Sequence, residues 1–281
     1  MSPIAWMPIG ELAFAILLGC WACGYWRARQ RQRAHARQAL LDRSDFFATL
    51  GHEVRTAMTG VLGMSELLLD SVLDPRQRRH VAAINHAGHH LLRLVDDALD
   101  LARIEAGRLP LEIRPFELRV LLREVAELQA PLARRRGLRF VGGIAADVPV
   151  ALSGDALRVK QILFNLLGNA IKFTEQGEVG MRVESLSTAA AGVRIVVHDT
   201  GPGLDAAQQA RLFRRFEQCH SACAGGDHRG SGLGLAISQE LAMAMGGRIV
   251  VDSAPGAGTR FSVELPLPAA IIAKARAAAA N

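Results

Sequence analysis

Cysteine is scarce in this chain, which has four among its 281 residues. Two of them, Cys20 and Cys23, fall within an apolar run, and a count this low excludes a disulfide framework. Zinc ligation by a later cluster is an alternative that we do not favour, because its loop is better explained as a mobile lid. That cluster consists of Cys219, His220, Cys223 and His228.

Aromatic residues are also few, at 5% of the chain, whereas the formal net charge is +6. The positive charge is concentrated in one segment, at Arg27, Arg29, Arg31, Arg33, Arg37 and Arg43. A surface that binds single-stranded nucleic acid needs aromatic side chains on which bases stack, and this segment has none. The sequence therefore predicts no nucleic-acid partner.

The chain has one long hydrophobic run, Ile9–Trp26, in which Glu11 is the charged residue. Its length is about the minimum that crosses a ~30 Å hydrocarbon core as a helix. Because the arginines follow it, the positive-inside rule places the rest of the chain in the cytoplasm. We predict a single-pass anchor in the inner membrane over residues 1–26 and a basic juxtamembrane helix over 27–44. A cleaved signal peptide is disfavoured, since no Lys or Arg precedes the run.

The next segment has apolar residues at a seven-residue period, which is typical of a packed helix. One set is Leu40, Phe47, Val54, Val61 and Leu68, and a second set is Leu50, Ala57 and Met64. Asp74-Pro75 ends this helix. A second apolar stripe follows through Val81, Ile84, Leu91, Val95, Ala98 and Ala102. Because two antiparallel helices cannot bury both stripes alone, we predict that residues 45–108 form a helical hairpin that dimerises as a four-helix bundle.

After a linker over residues 109–116, the chain alternates predicted helices and strands. The helices are Glu117–Arg135, Ala156–Phe173 and Leu233–Met245. The strands are Leu138–Gly142, Glu178–Glu184, Val193–His198, Arg248–Asp252 and Arg260–Glu264. Helices packed on one mostly antiparallel sheet indicate an α+β fold, a two-layer sandwich over residues 117–267 with a frayed tail over 268–281.

One histidine lies on the solvent face of the first predicted helix. With Val54 at heptad position a, His52 is at position f, which points away from the seam. The adjacent Glu53 can take a proton from one imidazole nitrogen while the other nitrogen attacks phosphorus. Thr56 lies one turn further on the same face. The hairpin's other histidines are better explained as solvated residues than as metal ligands: His80, His86, His89 and His90.

The surroundings of this histidine are Phe46-Phe47-Ala48-Thr49-Leu50-Gly51-His52-Glu53-Val54-Arg55-Thr56, followed by Gly60-Val61-Leu62-Gly63-Met64. They resemble the H-box of the dimerisation and phosphoacceptor domain of sensor histidine kinases, in the style of hybrid kinases. The resemblance implies that His52 accepts a phosphoryl group and that Glu53 and Thr56 assist, Thr56 in dephosphorylating a partner regulator. The family usually has proline where this chain has Ala57, and commonly asparagine where it has Thr59. Without the kink that proline introduces, the helix should be straighter below the histidine.

A polar stripe on the predicted helix Ala156–Phe173 consists of Asn165, Asn169 and Lys172. Their spacing of i, i+4 and i+7 places them on one face. Amide oxygens suit Mg²⁺ and a lysine suits phosphate. Asparagines on the exposed side of any helix have the same spacing, so a plain solvated face is the alternative.

Two glycine-rich segments follow. Asp199 ends a predicted strand and precedes Gly201 and Gly203, which permit tight turns. A carboxylate there can accept a hydrogen bond from an adenine amino group. The composition of Ala206–Arg229 suits a mobile lid. The last helix opens with a second glycine-rich stretch, where amides and the helix dipole favour phosphate, formed by Gly230, Gly232, Leu233 and Gly234.

In this order, these segments and the closing Gly258-Thr259-Arg260-Phe261 resemble the N, G1, F and G2 boxes and the final strand of the histidine-kinase ATPase domain. The resemblance implies ATP and Mg²⁺ as cofactors, with Asn165 and Thr259 among the binding residues. The usual F-box proline is replaced by Arg215. The implied roles are Mg²⁺ for Asn169, phosphate for Lys172, adenine for Asp199, and the triphosphate for Gly232 and Gly234.

Together with the predicted anchor and the predicted four-helix bundle, the two resemblances imply a membrane-tethered, homodimeric protein histidine kinase. It would phosphorylate itself on His52 and pass the phosphoryl group to an aspartate on the receiver domain of a response regulator. ATPases of the chaperone, topoisomerase or mismatch-repair type share the nucleotide boxes but lack a coiled helix with a His-Glu pair. A signalling scaffold with an inactive kinase is a third alternative. The presence of every expected polar residue of the boxes argues against it.

Overall fold

The computed structural model describes residue 26 and residues 49–186, 192–217 and 232–270. The chain divides into two compact units, one up to Arg108 and one from Leu109 onward. Their boundary coincides with the end of the predicted hairpin.

The first unit is a helical hairpin. Helix α1 is described over residues 49–69, and α2 is Pro75–Glu105. Asp74 begins α2 with a capping box. Its Oδ1 accepts the N–H groups of Arg76 and Gln77 at 2.7 and 2.8 Å, and the Gln77 side chain accepts the Asp74 N–H at 3.1 Å. This arrangement satisfies amides that the first helical turn leaves unpaired, so the predicted break at Asp74-Pro75 is confirmed.

The two helices of the hairpin pack through small residues. A Cβ on Gly51 would collide with the Leu99 side chain, and one on Gly88 would press against Leu62. A hydrogen bond of 2.9 Å from Asn85 Nδ2 to Ser65 Oγ joins the helices further along. Close contact between α1 and α2 therefore depends on these two glycines.

The predicted heptad seam lies on another side of α1. Val61, Met64 and Leu68 have 45%, 68% and 48% of their surface exposed. With side chains of α2 they border a groove of about 550 Å³, lined by Ala57, Gly60, Val61, Met64, Ser65, Leu68, Val81 and Ile84. The expectation that one hairpin cannot bury both stripes is confirmed. Leu40 and Phe47, the first two seam residues, lie outside the described residues.

The second unit is a two-layer α+β sandwich, as predicted. Its helices are α3 Leu118–Arg135, α4 Ala156–Phe173, α5 Ala206–Arg211 and α6 Gly234–Ala244. Its strands are β1 Arg114–Glu117, β2 Arg139–Ile144, β3 Ala151–Gly154, β4 Glu178–Ser185, β5 Val193–Asp199, β6 Arg248–Ser253 and β7 Thr259–Leu265. The five-stranded sheet has the order β2-β4-β5-β7-β6. The β2–β4 pair is parallel and the other pairs are antiparallel.

Alternating burial along the strands explains the two layers. Val193, Ile195 and Val197 of β5 are buried, while Arg194 and Val196 between them are half-buried on the outer face. The inner face packs against α3, α4 and α6, whose fully buried residues include Leu118, Leu163, Leu166 and Leu241. The apolar face of the sheet thus positions α4 and α6, the two helices that carry the nucleotide motifs.

Three features differ from the sequence prediction. Strands β1 and β3, which pair antiparallel with each other, were not predicted, and β1 occupies part of the predicted linker. Pro115 within β1 cannot donate to a ladder, so the segment does not have a strand-like pattern. Helix α5 forms at the start of the predicted lid, because Asp205 and Gln208 make a second capping box. Glu117 and Leu233 are the N-caps of α3 and α6 rather than the first residues of these helices.

The predicted anchor lies outside the described residues, apart from Trp26. Within the part of the chain that is described, no helix is both long and apolar enough to cross a bilayer. The juxtamembrane segment 27–44 and the tail beyond residue 270 also lie outside it.

Candidate active site

The predicted phosphoacceptor is on the open surface of α1. His52 and Glu53 are both exposed, as the heptad position of His52 requires. One turn further, Arg55 Nη2 lies 2.6 Å from Asp96 Oδ1 of α2, with each side chain 52% exposed. An ion pair this exposed adds at most about 1 kcal/mol to stability. It links the face with His52 to α2.

Thr56 bonds to the backbone of its own helix. Its Oγ1 donates to the His52 carbonyl oxygen at 3.0 Å, and the Thr59 hydroxyl donates to the Arg55 carbonyl oxygen at 2.8 Å. Residues 49–69 form an uninterrupted helix through Ala57, as expected without the proline. The hydroxyl of Thr56 therefore stays one turn from His52, with its lone pairs available to accept a hydrogen bond.

The end of α4 carries Asn169 and Lys172, both half-buried. The Lys172 ammonium lies 4.8 Å from the centre of the Phe173 ring. Burial lowers the pKa of Lys172, and the nearby Arg136 guanidinium lowers it further. Arg136 Nη1 donates to the carbonyl oxygens of Ile171 and Lys172 at 3.1 and 2.9 Å, which caps α4. A partly desolvated lysine beside a second cation suits an anionic ligand.

Asn165 contacts α6 rather than open solvent. Its Nδ2 donates to the hydroxyl of the buried Ser238 at 2.9 Å. A Cβ on Gly234 would collide with the Asn165 amide oxygen, so any larger residue there would displace the Asn165 side chain. Asn165 thus fastens the N-terminus of α6 to α4. Its predicted contact with the cofactor stays a prediction beside this packing role.

Asp199 lies at the end of β5, at the rim of the sheet. Its Oδ1 accepts the Gly201 N–H at 2.8 Å and the Thr259 N–H at 3.3 Å. Burial raises the pKa of Asp199 above its usual value, and these two amides partly oppose the rise. Gly258 has a φ of +81°, and a Cβ there would collide with the Asp199 carbonyl oxygen. The carboxylate is thus held by backbone groups from the loop after β5 and from the start of β7.

The second glycine-rich stretch begins α6. Gly232 has a φ of +70°, Leu233 is the N-cap and Gly234 is the first helical residue. Leucine has no side-chain oxygen that could cap the first amides, so this end of an 11-residue helix suits an anion. Gly230 lies outside the described residues.

The described chain stops at residue 217, within the predicted lid, and resumes at residue 232, and these two points lie next to each other. The Phe216 N–H donates to the Gly232 carbonyl oxygen at 3.0 Å. Arg211 Nε lies 3.0 Å from Glu217 Oε2 on the same side of the gap. Residues 218–231 lie outside the described residues, and so does the Cys-His cluster for which zinc was considered. No group of three or more metal-ligating side chains occurs among the residues that are described.

Sequence reasoning missed several residues of the rim around Asp199. Ser253 Oγ accepts the Leu204 N–H at 2.9 Å, and Gln209 Nε2 donates to the carbonyl oxygens of Leu204 and Ser253. A serine at the end of a strand and a glutamine in a short helix match no sequence pattern. Only the fold brings them to the site.

Comparison with known proteins agrees with this geometry. Residues 42–107 match the family model described as His Kinase A (phospho-acceptor) domain. Residues 154–269 match the family described as Histidine kinase-, DNA gyrase B-, and HSP90-like ATPase. The chain belongs to the sensor histidine kinases. The resemblances of the H-box and of the nucleotide boxes to this family are therefore confirmed.

Individual relatives of this histidine kinase are named as sensor proteins or histidine kinases. Sensor protein GacS of Pseudomonas syringae pv. syringae is 42% identical over 85% of this chain and 26% of the relative. Signal transduction histidine-protein kinase BarA of Escherichia coli strain K12 is 41% identical over 82% of this chain and 25% of the relative. The chain thus spans about a quarter of the length of these curated relatives.

A solved structure shares both the sequence and the fold of this histidine kinase. It is the crystal structure of full-length ShkA in complex with AMPPNP, which is 39% identical to this chain. The superposition has a TM-score of 0.68 and covers 81% of this chain and 47% of that chain.

Proposed function

We propose that this chain is an ATP-dependent protein-histidine autokinase of a two-component system and that it phosphorylates His52. The observation that carries the proposal is that one chain combines an exposed His-Glu pair on a helical hairpin with the Asp199, α4 and α6 nucleotide motifs. The complex of ShkA with AMPPNP supports ATP as the nucleotide.

In the proposed reaction, an imidazole nitrogen of His52 attacks the γ-phosphorus of ATP. A nitrogen–phosphorus bond forms, the bond to the bridging oxygen breaks, and ADP leaves. Glu53 is next to His52 and accepts the proton from the other imidazole nitrogen. The resulting phosphohistidine is labile, which suits an intermediate that passes the group on.

Each nucleotide motif would bind a different part of ATP. Both backbone bonds to Asp199 end on Oδ1, so Oδ2 can accept from the adenine amino group. The amides at the start of α6 and the Lys172 ammonium would hold the phosphates. Mg²⁺, when bound, neutralises charge that develops on the phosphates. Asn169 fits such a role because it offers a half-buried amide oxygen, with the triphosphate and water supplying the other ligands.

The proposal includes transfer of the phosphoryl group from His52 to a receiver aspartate, and also hydrolysis of the resulting phosphoaspartate. The relatives GacS and BarA are named as a sensor protein and a signal-transduction kinase, which supports a signalling role. Thr56, with its hydroxyl one turn from His52, would orient a water toward the phosphoaspartate of the partner. The back-bond from Thr56 supports this role, because it fixes the hydroxyl oxygen while leaving its lone pairs to accept from that water.

We further propose that the kinase is a homodimer. The exposed Val61, Met64 and Leu68 border the apolar groove on the hairpin, and a second copy would cover them. Anchoring in the inner membrane is proposed from the apolar run Ile9–Trp26 and the arginines after it.

Labelling with ATP tests the proposed activity. The full chain incubated with γ-labelled ATP and Mg²⁺ should acquire phosphate that is labile in acid and stable in base, whereas α-labelled ATP should leave no label. Acid-stable label would indicate a different acceptor, and nucleotide hydrolysis without label would favour an ATPase of the chaperone type.

A further inference from the structure

The carboxylate of Asp199 is one end of a row of residues that crosses three strands. Asp199 of β5 lies opposite Thr259 of β7, and Thr259 lies opposite Ser253 of β6. The Thr259 N–H reaches back to Asp199 Oδ1 at 3.3 Å. The position of the carboxylate therefore depends on where the β6–β7 hairpin holds Thr259.

Ser253 joins three backbone segments through one hydroxyl. Its Oγ donates to the Gly258 carbonyl oxygen at 2.7 Å and accepts the Leu204 N–H at 2.9 Å. Thr259 Oγ1 lies 3.1 Å away. A serine hydroxyl has a single proton, so Thr259 is the donor in that contact. Ser253 thus fixes Thr259 and the loop after Asp199 at the same time.

Gln209 holds the same loop from α5. Its Nε2 donates to the Leu204 carbonyl oxygen at 3.0 Å and to the Ser253 carbonyl oxygen at 2.8 Å, which uses both amide protons. The Gly256 N–H adds a bond of 2.7 Å to the Pro202 carbonyl oxygen. The loop 201–204 is therefore bound on both sides to the hairpin and to α5.

We propose that Ser253 and Gln209 are positioning residues. They hold the Asp199 carboxylate where it meets the adenine base of the nucleotide, and so set the preference for adenine over guanine. The inference rests on the proposed function, because it takes Asp199 as the acceptor of the adenine amino group. Neither residue bonds directly to Asp199. They act through Thr259, Leu204 and the backbone between them.

The discriminating readout is the ratio of ATP affinity to GTP affinity. GTP has a carbonyl oxygen where ATP has the amino group, so it gains little from a correctly placed carboxylate. Loss of Ser253 should weaken ATP about fivefold to tenfold and GTP less than about twofold, the size expected for one misplaced hydrogen bond. A residue that only stabilises the fold would weaken both nucleotides alike.

The experiment uses the full chain and displacement of a fluorescent nucleotide by ATP or GTP, with thermal unfolding followed in parallel. The variants are Ser253→Ala, Gln209→Met, which has a similar length but no donor, and Ser253→Thr, which retains the hydroxyl. Ser262→Ala is the matched control, since Ser262 lies on the other face of β7, away from these bonds.

The proposal requires the ATP/GTP ratio to fall in Ser253→Ala and Gln209→Met and to stay near that of the parent in Ser253→Thr and Ser262→Ala. It is overturned if both loss variants keep the parent ratio, or if ATP and GTP weaken equally. If Ser253→Ala does not fold, Gln209→Met alone decides. A parent that does not distinguish ATP from GTP would instead contradict the proposed role of Asp199, and this result is read before any variant is made.

Discussion

The side-chain amide of Asn165 donates to the hydroxyl of Ser238 across 2.9 Å, and this bond joins α4 to α6 beside Gly234. Ser238 is 2% exposed and Asn165 is half-buried, so water has little access to the hydroxyl end of this bond. The two helices that carry the nucleotide motifs are thus held by a partly buried polar contact as well as by apolar packing.

Ser238→Ala should therefore destabilise the second unit. The change leaves the Asn165 N–H without this acceptor, and because Asn165 is half-buried we expect the free energy of unfolding to fall by about 0.5–1.5 kcal/mol. A drop in melting temperature of several degrees in a thermal scan would show the loss. Ser262→Ala is the control, because Ser262 is half-buried on the outer face of β7, and this variant should melt like the parent. Equal melting of both variants would mean that the contact contributes nothing.

Asp199→Asn should raise the stability of the protein at neutral pH and weaken its discrimination of ATP from GTP. Because burial raises the pKa of Asp199, the folded state binds this proton more tightly than the unfolded chain does. The contribution of Asp199 to stability therefore falls as pH rises from the usual Asp range through the raised pKa. Asparagine removes the buried charge and should stabilise the protein at pH 7 by about 0.5–2 kcal/mol, a common size for such changes.

The measurement for this prediction is the difference in melting temperature between Asp199→Asn and the parent across pH. The difference should be small below the usual pKa of aspartate, about 3.9, and should grow toward neutral pH. In the same variant, discrimination of ATP from GTP should weaken. A variant that is less stable than the parent at pH 7 and equally selective would contradict both expectations.

Asn169→Ala should remove the part of ATP binding that depends on Mg²⁺. Asn169 is half-buried on α4, and its amide oxygen is the proposed metal ligand. Titration of ATP with and without Mg²⁺ should give the parent two different affinities and the variant nearly one. Asn85→Ala, in the hairpin, is the matched control and should retain the Mg²⁺ effect. Retention of that effect in Asn169→Ala would show that the metal is held elsewhere.

Much of this fold could be predicted because the decisive signals are local. Helix α4 has the predicted bounds, since Asp155 caps its start and its apolar period continues to Phe173. Strand β5 ends within one residue of its predicted end, because β-branched residues occupy every second position from Val193 to Val197. The exposed position of His52 also followed from the heptad alone.

What could not be predicted depends on contacts between distant residues. Ser253 bonds to Leu204 across 49 positions, and Gln209 bonds to Ser253 across 44. No local pattern indicates such pairs, because the residues next to Ser253 and Gln209 in the sequence do not distinguish them from a serine or glutamine on any protein surface. Asn165 likewise has the spacing of a ligand, and only the approach of α6 shows that it also packs against Ser238.

Thr56→Ala should leave autophosphorylation intact and lengthen the life of the partner's phosphoaspartate. The hydroxyl that would orient the attacking water is lost, whereas His52 and Glu53 are unchanged. Thr56→Ser retains the hydroxyl and should behave like the parent. The measurement is the decay of phosphorylated receiver domain with the parent, with each variant, and with no kinase. Equal decay in all of these would show that the chain has no phosphatase activity.

The proposed autokinase is tested most sharply by finding which histidine carries the phosphate. The full chain, His52→Gln and the control His86→Gln are incubated with γ-labelled ATP, and ATP binding is measured on each. His86 is an exposed histidine of α2 and provides a matched change elsewhere on the hairpin. We expect full acid-labile labelling of the parent and of His86→Gln, none of His52→Gln, and similar ATP affinity in all three. Labelling of His52→Gln at the level of the parent would contradict the proposal.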